Sequence, residues 1–307
     1  MSLRYDEIGQ RLRVFRLQSG MNVDEIATRI GISRTALYRF EKGEVVKIET
    51  LLSLAELLGV SLPTLLGVEI EYISSAVTYF ERVWQLEEKA DRIVAVSSPF
   101  TFLLASNNFL THLPELLRET GAEAGSCEPT FDHDVKRIIE ILVQRRRSYE
   151  QRRPTIVNVI SALDVERVLR LGLIGKVRLS PDALAERRRR ARMEIEHLAR
   201  IAEAEPIGVQ IGVGINTPPH ASFQIFRSAG RQELAISPFR IDEQPNIRFG
   251  VAMITSSDEA IAQHQKVVDE MWERALKGKE AARYLRELIV AVETEHTTAP
   301  AEATPMR

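Results

Sequence analysis

The segment that most constrains the fold is residues 22–43, where two short amphipathic stretches flank a glycine. The first stretch follows Asn22, a favourable helix N-cap. Its apolar residues recur at helical spacing and are Val23, Ile26, Ala27 and Ile30. Gly31 can adopt the positive φ of a tight turn, and Ser33 can cap a second helix. The sequence therefore predicts two helices joined by a tight turn, the second closed by Gly43.

The second of these helices has a polar, cationic outer face. When Leu37 and Phe40 point inward, the residues that point outward are Arg34, Thr35, Tyr38, Arg39 and Lys42. Three of these five side chains are cationic and the other two can form hydrogen bonds. Such a combination suits contacts to base edges beside phosphates. The pattern therefore predicts a helix that lies in the major groove of double-stranded DNA.

Residues 5–67 resemble a Cro/C1-type (XRE-family) helix-turn-helix domain of five helices, most specifically over residues 33–43. The resemblance implies helix 1 over Ile8–Gln18, helix 4 over Ile48–Leu58 and helix 5 over Leu62–Leu66. It implies base contacts and phosphate contacts from different parts of the domain. The predicted DNA-binding residues are Arg34, Thr35 and Arg39 on bases, Lys42 and the Asn22 cap region on phosphates, and Tyr38 on the same face.

The resemblance also implies a partly buried ion pair between Arg16 and Glu41. Val23 departs from the family pattern, which often has a Gln that reaches the DNA backbone at this position. One phosphate contact is therefore in doubt, although the fold is not. The alternative interpretation of this region is a bundle of four or five helices whose basic face arose by chance.

Charge is distributed unevenly along the chain. The formal net charge is −2, yet residues 1–47 hold nine Lys or Arg against six Asp or Glu. Residues 145–192 hold fourteen against five, with arginines concentrated at 145–153 and 187–192. Local basic charge is what a phosphate-facing surface requires. Three interpretations of the arginine runs remain open: a solvated helix face, an extended DNA footprint, and a site for an anionic effector or acidic partner.

Several classes of site are absent from the sequence. Cys127 is the single cysteine, which excludes an intramolecular disulfide and a cysteine-based metal site. No two histidines stand at the helical spacing of a metal-ligand pair, so neither a metal nor a cofactor is expected. No signal peptide and no apolar run near 18 residues are present, which predicts a cytoplasmic protein without a membrane partner.

The length and the change of periodicity predict a multidomain chain. The expected parts are an all-α five-helix DNA-binding domain at 1–68, a linker helix at 69–91, an α/β domain with a mixed sheet at 92–294 and a disordered tail at 295–307. Glu69 to Ala90 is predicted to form one helix, because Ile73, Val77, Phe80 and Trp84 recur at heptad-like spacing. This apolar seam could pack in a dimer or on the chain's own second domain.

Strands and helices alternate early in the second domain and strands cluster later, which favours an α/β sandwich. The predicted strands are Ile93–Val96, Ile156–Ile160, Ile207–Ile215, Phe223–Arg227, Glu233–Ile236 and Phe249–Ile254. The other predicted elements are helices within Phe100–Leu117 broken near Asn107 and Pro114, a loop at Gly121–Thr130, and helices at Phe131–Gln151, Ser180–Ala204, Ser257–Leu276 and Glu280–Val292.

Residues 192–227 loosely resemble the C-terminal effector domains of bacterial XRE regulators, whose fold is similar to phospholipase D. Phospholipase D enzymes use a His-x-Lys-x4-Asp motif. His220 could match its histidine, but Ser222 stands at the lysine position and Arg227 at the aspartate position. The charges that the reaction needs are missing, so the protein is not expected to be an enzyme.

An effector site is expected at the carboxyl ends of strands, where open α/β sheets bind ligands. Its candidate residues are Asn158, Ser161, His220 and Ser222. The alternative is that these side chains only satisfy nearby backbone groups. The sequence as a whole predicts a bacterial transcriptional regulator: a homodimer that binds a near-palindromic operator and responds to a small-molecule effector. The alternatives are a ligand-independent repressor or antitoxin, and a phospholipase D-like enzyme with a DNA-binding domain.

Overall fold

The computed structural model describes residues 5–44, 47–67, 70–96, 99, 101–122, 129–173, 179–215, 222–242 and 245–298. A helical N-terminal region is followed by an α/β region with a mixed sheet, which confirms the predicted fold class. The helices are α1 (Tyr5–Gln18), α2 (Val23–Ile30), α3 (Arg34–Glu41), α4 (Ile48–Leu57), α5 (Leu62–Leu66), α6 (Ala76–Glu87), α7 (Asn107–Ala122), α8 (Pro129–Arg152), α9 (Ala162–Leu171), α10 (Pro181–Ala204), α11 (Asp258–Arg274) and α12 (Gly278–Thr298). A short 3₁₀ helix spans Phe102–Leu104.

Helices α1–α5 pack around a core of their own, and its fully buried residues include Leu12, Phe15, Ile26, Leu37, Leu54 and Leu65. Helix α1 crosses the end of α3 at very close range. A Cβ atom on Gly9 would lie 2.5 Å from the carbonyl oxygen of Phe40, so a larger residue at this position would push the two helices apart. The orientation of α3 is therefore fixed by side chains beneath it and by backbone contact at its end.

The sheet has the strand order β1-β7-β6-β5-β2-β3-β4-β8. Its strands are β1 (Ile70–Ile73), β2 (Arg92–Val96), β3 (Thr155–Ser161), β4 (Val209–Gly214), β5 (Phe223–Ser228), β6 (Arg231–Ile236), β7 (Ala252–Thr255) and β8 (Leu276–Lys277). Strands β2, β3 and β4 are parallel, and the other pairings are antiparallel. One face packs on α6–α10 and α12, and the other packs on α11. Both faces are thus covered by helices, as in other α/β domains.

The predicted single helix from Glu69 to Ala90 is wrong. Ile70–Ile73 forms the edge strand β1, and α6 begins only after Ser75, whose side chain accepts a hydrogen bond from Thr78 N. The residues of β1 are mostly β-branched or aromatic and alternate between buried and exposed, which favours a strand. The apolar seam of α6 packs into the chain's own α/β core, so its heptad-like spacing reflects intramolecular packing.

Three further details differ from prediction. Helix α7 continues through Pro114 without a break, because buried Leu113, Leu116 and Leu117 hold both halves against the core. Both ends of the predicted loop at Gly121–Thr130 are helical, since α7 reaches Ala122 and α8 begins at Pro129, and the residues between lie outside the described ranges. Helix α12 extends to Thr298, so the predicted disorder is wrong for residues 295–298. The rest of that tail lies outside the described residues. Helix α9 and strand β8 were not predicted.

Candidate DNA-binding surface

The α2–turn–α3 segment has the local geometry that the sequence predicts. Asn22 Oδ1 accepts a hydrogen bond from Glu25 N at 2.8 Å, and Ser33 Oγ accepts one from Ala36 N at 3.1 Å. Gly31 has a φ of 75°, in the left-handed region that favours glycine. Both helix starts and the turn are therefore fixed by local interactions.

The structure places every predicted DNA-binding side chain on the exposed surface of this segment. They are Asn22, Arg34, Thr35, Tyr38, Arg39 and Lys42. Tyr38 is 45% exposed although it is a large aromatic residue. Because Leu37 is completely buried, this face of α3 points away from the domain core. An exposed helix face is what insertion into the major groove requires.

Two arginines on this surface are held by carboxylates. Arg34 Nε lies 2.8 Å from Asp24 Oδ1, and Arg39 Nε donates to Glu44 Oε2 at 2.6 Å. The hydrogen bond between Arg39 and Glu44 raises the pKa of the arginine and lowers the pKa of the glutamate. Exposed pairs of this kind contribute little to stability. A DNA phosphate or base edge can therefore replace Asp24 or Glu44 as the partner of these arginines with little loss of free energy.

A buried ion pair fixes α3 on α1. Arg16 Nε donates to Glu41 Oε1 at 2.5 Å and Arg16 Nη2 donates to Glu41 Oε2 at 3.1 Å. The two side chains are only 12% and 6% exposed, and the hydrogen bond from the guanidinium raises the pKa of Arg16. Bidentate pairs of this type add geometric specificity. The predicted ion pair is confirmed, and it holds the C-terminal end of the DNA-facing helix in place.

The helix-turn-helix region is joined to the α/β region by a buried charged cluster, which we call the Glu71 cluster. It consists of Glu71 on β1, Arg11 on α1 and Arg82 on α6. Arg11 Nε donates to Glu71 Oε1 at 2.6 Å, while Arg82 donates to both carboxylate oxygens at 2.8 and 2.9 Å. Burial alone would raise the pKa of Glu71, but the charges of Arg82 and Arg11 outweigh it and lower the pKa.

Further contacts surround the Glu71 cluster. Arg231 on β6 pairs with Glu7 on α1, and Lys89 donates to Gln10 Oε1 at 2.8 Å. The sequence prediction missed this interface, because its partners are far apart in the chain. One local signal for this interface exists in the sequence. Glu71 stands at a position of strand Ile70–Ile73 that the alternation of side chains turns inward, and a buried carboxylate needs a cationic partner.

The arginine runs are not uniformly exposed, and several of their members are held in ion pairs. Arg145 is buried and donates to both oxygens of Glu87 at 2.7 and 2.8 Å. Arg187 is also buried and donates to Glu119 at 2.7 Å. The more exposed Arg189 pairs with a glutamate of its own helix. Arg145 links α8 to α6, and Arg187 links α10 to α7. These two residues therefore form neither a solvated face, nor part of a DNA footprint, nor a site for an anionic effector or acidic partner.

The three described candidate effector residues do not line one cavity. Asn158 and Ser161 are buried within β3, with at most 1% of either residue exposed. Ser222 stands just before β5 at the same edge of the sheet, because Phe223 pairs with Val96 at the end of β2. Ser222 lines a cavity that neither Asn158 nor Ser161 reaches. Asn158 and Ser161 are therefore not placed beside Ser222, whereas His220 lies outside the described residues and its part in the site stays a prediction.

The cavity that Ser222 lines has a volume of about 80 Å³ and lies between α6, α8, the 3₁₀ helix and strand β5. A wider cleft of about 470 Å³ lies at the β4–β8 edge, beside Trp272 and Lys277. The smaller cavity is walled partly by α6, the helix that carries Arg82 of the Glu71 cluster. Across the described ranges, no three His, Cys, Asp or Glu side chains lie close enough to share a metal ion.

Comparison with known proteins agrees with this geometry in the N-terminal region. Residues 7–66 match a family model described as a helix-turn-helix domain. None of the curated proteins compared matches the chain. The likeness of residues 192–227 to phospholipase D receives no support. In the part of the chain that the structure describes, no helix is both long and apolar enough to cross a bilayer. The match supports a DNA-binding regulator whose residues 7–66 form a helix-turn-helix domain similar to that of XRE-type regulators.

Proposed function

We propose that the protein is a homodimeric, sequence-specific transcriptional regulator that binds a near-palindromic operator through α3. The observation that carries this proposal is the exposed face of α3, on which Arg34, Thr35, Tyr38, Arg39 and Lys42 stand together. A bidentate arginine contact to guanine or a lysine contact to phosphate needs an accessible, firmly oriented helix. The Arg16–Glu41 pair and the close approach at Gly9 supply that orientation.

The homodimer is proposed because specific recognition of DNA needs more base contacts than one short helix can make. One short helix contacts only a few base pairs, whereas two symmetric copies double the contact and define a palindrome. Half-site centres should then be separated by about 10–10.5 base pairs or a multiple of that distance.

Effector control is proposed for the α/β domain at residues 92–294. Helix α6 packs against the core of this domain, and the Glu71 cluster joins α6 and β1 to α1, so a rearrangement of α6 would act on the helix-turn-helix region. An effector that binds one arrangement of the dimer better than another would change operator affinity by that difference in binding free energy.

We further propose that the α/β domain is a sensor and not a catalyst. Arg227, which stands where the phospholipase D motif has aspartate, donates to Gln265 Oε1 at 2.8 Å. Ser222 offers a hydroxyl where the motif has a cationic lysine. These residues suit packing and polar binding better than phosphodiester cleavage.

Genomic footprinting of the full chain, combined with its mass in solution, tests the proposal. The expected result is a protected near-palindrome bound by a dimer. A monomer in solution that protects a single half-site would contradict both the dimer and the symmetric operator.

A further inference from the structure

We propose that the 470 Å³ cleft at the β4–β8 edge of the sheet binds an organic carboxylate with an apolar two-ring body, and that Lys277 binds its carboxylate group. The helix-turn-helix region contacts the opposite edge of the sheet, where Arg11 donates to Glu71 of β1. Binding in the cleft is therefore an activity beyond the proposed DNA recognition and does not depend on it.

The cleft lies at the amino ends of three parallel strands. Arg92 begins β2, Thr155 begins β3 and Val209 begins β4, while Lys277 of β8 stands on the far side. A closed cavity of about 150 Å³ holds benzene. The cleft has about three times that volume, so it accommodates two fused rings with a head group. Its size also lies within the usual range of small-molecule sites.

The backbone beside the cleft has an uncommon conformation. Glu205, which lines the cleft, has a φ of 43°, in the left-handed region that residues with a Cβ rarely adopt. Arg153, which stands just before β3, has a φ of 46°. Each of these residues precedes a proline, which disfavours the helical conformation at that position. Strained positions of this kind cluster at binding sites.

One wall of the cleft is apolar. Its side chains come from the end of α10, the connection after it and β4, and they are Ile201, Ala202, Pro206, Ile207, Val209 and Ile211. Ile207 is fully exposed, so it contributes nothing to the chain's own core. A ligand body that covers this wall removes apolar surface from water, which favours binding.

Glu205 is the single acidic residue among the described residues that line the cleft, and a helix terminus compensates its charge. Its two carboxylate oxygens lie 3.0 and 3.3 Å from the position that a Cβ on Gly278 would occupy, at the start of the 21-residue helix α12. The amino end of a helix carries a partial positive charge, which stabilises a carboxylate. The cations of the cleft are therefore not needed as partners of Glu205.

The two cationic residues that line the cleft, Arg92 and Lys277, make no ion pair with a carboxylate in the described part of the chain. Lys277 Nζ donates to Ala275 O at 3.0 Å and lies 5.2 Å from the centre of the Trp272 ring. Neither contact neutralises its charge. Lys277 is half-buried whereas Arg92 is exposed, so a charge-assisted hydrogen bond from Lys277 to a ligand carboxylate is the less screened of the two.

Calorimetric titration of the full chain with 2-naphthoate, 2-naphthamide and acetate tests the site. Naphthoate should bind with a dissociation constant on the order of 1 mM. Naphthamide has the same rings without the charge and should bind about fivefold more weakly, because it lacks the charge-assisted hydrogen bond. Acetate has the charge without the rings and should show no binding at the concentrations that saturate the site with naphthoate.

Two substitutions with matched controls locate the ligand. Lys277→Gln should weaken naphthoate binding about fivefold and leave naphthamide binding unchanged, which also shows that the variant is folded. Lys266→Gln removes the same charge from an exposed position of α11 and should change neither. Ile207→Ser should weaken both ligands about threefold, whereas Val290→Ser, at an exposed position of α12, should leave both unchanged.

No naphthoate binding to the wild type, or equal binding of naphthoate and naphthamide, would overturn the site. Equal losses in Lys277→Gln and Lys266→Gln would show that the total charge of the protein attracts the ligand, which would overturn the role of Lys277. Wild-type affinities in Ile207→Ser would place the ligand outside the cleft. Because the titration contains no DNA, a failure of operator binding would contradict the proposed function and leave the calorimetric result unchanged.

Discussion

Arg11 and Glu71, sixty residues apart in the chain, form a fully buried hydrogen-bonded ion pair at 2.6 Å between α1 and β1. Arg82 completes the pair from α6, so one carboxylate receives hydrogen bonds from two separate helices. Neither domain can move away from the other without exposing or isolating a buried charge. The helix-turn-helix region is therefore mechanically coupled to the α/β region.

Glu71→Gln should destabilise the protein by about 3 kcal/mol, because it removes the negative charge that two buried guanidinium groups share, although Arg11 keeps its contact with Glu7 at 3.7 Å. Urea unfolding of the full chain measures this change. The matched substitution Glu88→Gln, at an exposed residue just after α6, should change stability by less than about 0.5 kcal/mol. Equal effects of the two substitutions would show that the Glu71 cluster contributes nothing specific.

The same cluster predicts a dependence of stability on pH. Burial raises the pKa of Glu71, but Arg82 and Arg11 lower it by more, so the folded pKa lies below that of the unfolded chain. The ion pair therefore stabilises the fold fully above the unfolded carboxyl pKa, about 4.3, and its contribution is lost as the pH falls through the lower folded value. Unfolding curves should show that the difference between wild type and Glu71→Gln shrinks below about pH 4. A difference that is constant down to pH 2 would be inconsistent with this linkage.

Glu41→Ala should destabilise the helix-turn-helix region by about 3 kcal/mol, because it leaves the half-buried Arg16 without its partner. This value is at the lower end of the range for broken buried ion pairs, since Arg16 keeps some contact with solvent. Thermal unfolding followed by circular dichroism measures the effect. Glu56→Ala, at an exposed position of α4, is the control and should cost less than about 0.5 kcal/mol. An unchanged melting temperature in Glu41→Ala would refute a structural role for the pair.

Glu44→Gln should strengthen DNA binding about two- to fivefold. It removes a negative charge that pairs with Arg39 and faces the same surface. Fluorescence anisotropy with operator and random duplexes would measure the gain, which should appear on both. A loss of affinity would mean that Glu44 itself contacts a base, since a glutamate can accept from cytosine.

Lys42→Gln should lower the slope of log affinity against log salt by about one, which is the loss of one phosphate contact. Arg189→Gln should leave the slope unchanged, because Arg189 lies on α10 and pairs with Glu186. Titrations from low to moderate salt compare the two variants. A smaller slope in Arg189→Gln would indicate that the arginine run at 187–192 also contacts DNA.

The sequence predicts α2, α3 and their turn accurately because their determinants are local. The caps Asn22 and Ser33 and the glycine at position 31 act on neighbouring residues, and the apolar period specifies the buried face. The five outward side chains could be identified for the same reason.

The remaining features depend on distant partners. Strand β1 has only four residues and pairs with β7 some 180 positions later, so its short local pattern is too weak to separate it from the start of α6. In the sequence, Arg145 and Arg187 resemble exposed charged residues. Their burial depends on ion pairs with Glu87 and Glu119, which are 58 and 68 residues away in the chain. Asn158 and Ser161 do not reach the cavity that Ser222 lines, because strand order decides which strand ends share a cavity.

Arg39→Ala, measured on operator and on random duplex DNA, tests the central claim that α3 recognises a specific sequence. Loss of one bidentate base contact should reduce discrimination between the two duplexes about 5- to 100-fold, with only a small loss on random DNA. Arg283→Ala, at an exposed position of α12, should change neither affinity. Equal losses on both duplexes in Arg39→Ala would contradict base recognition by α3.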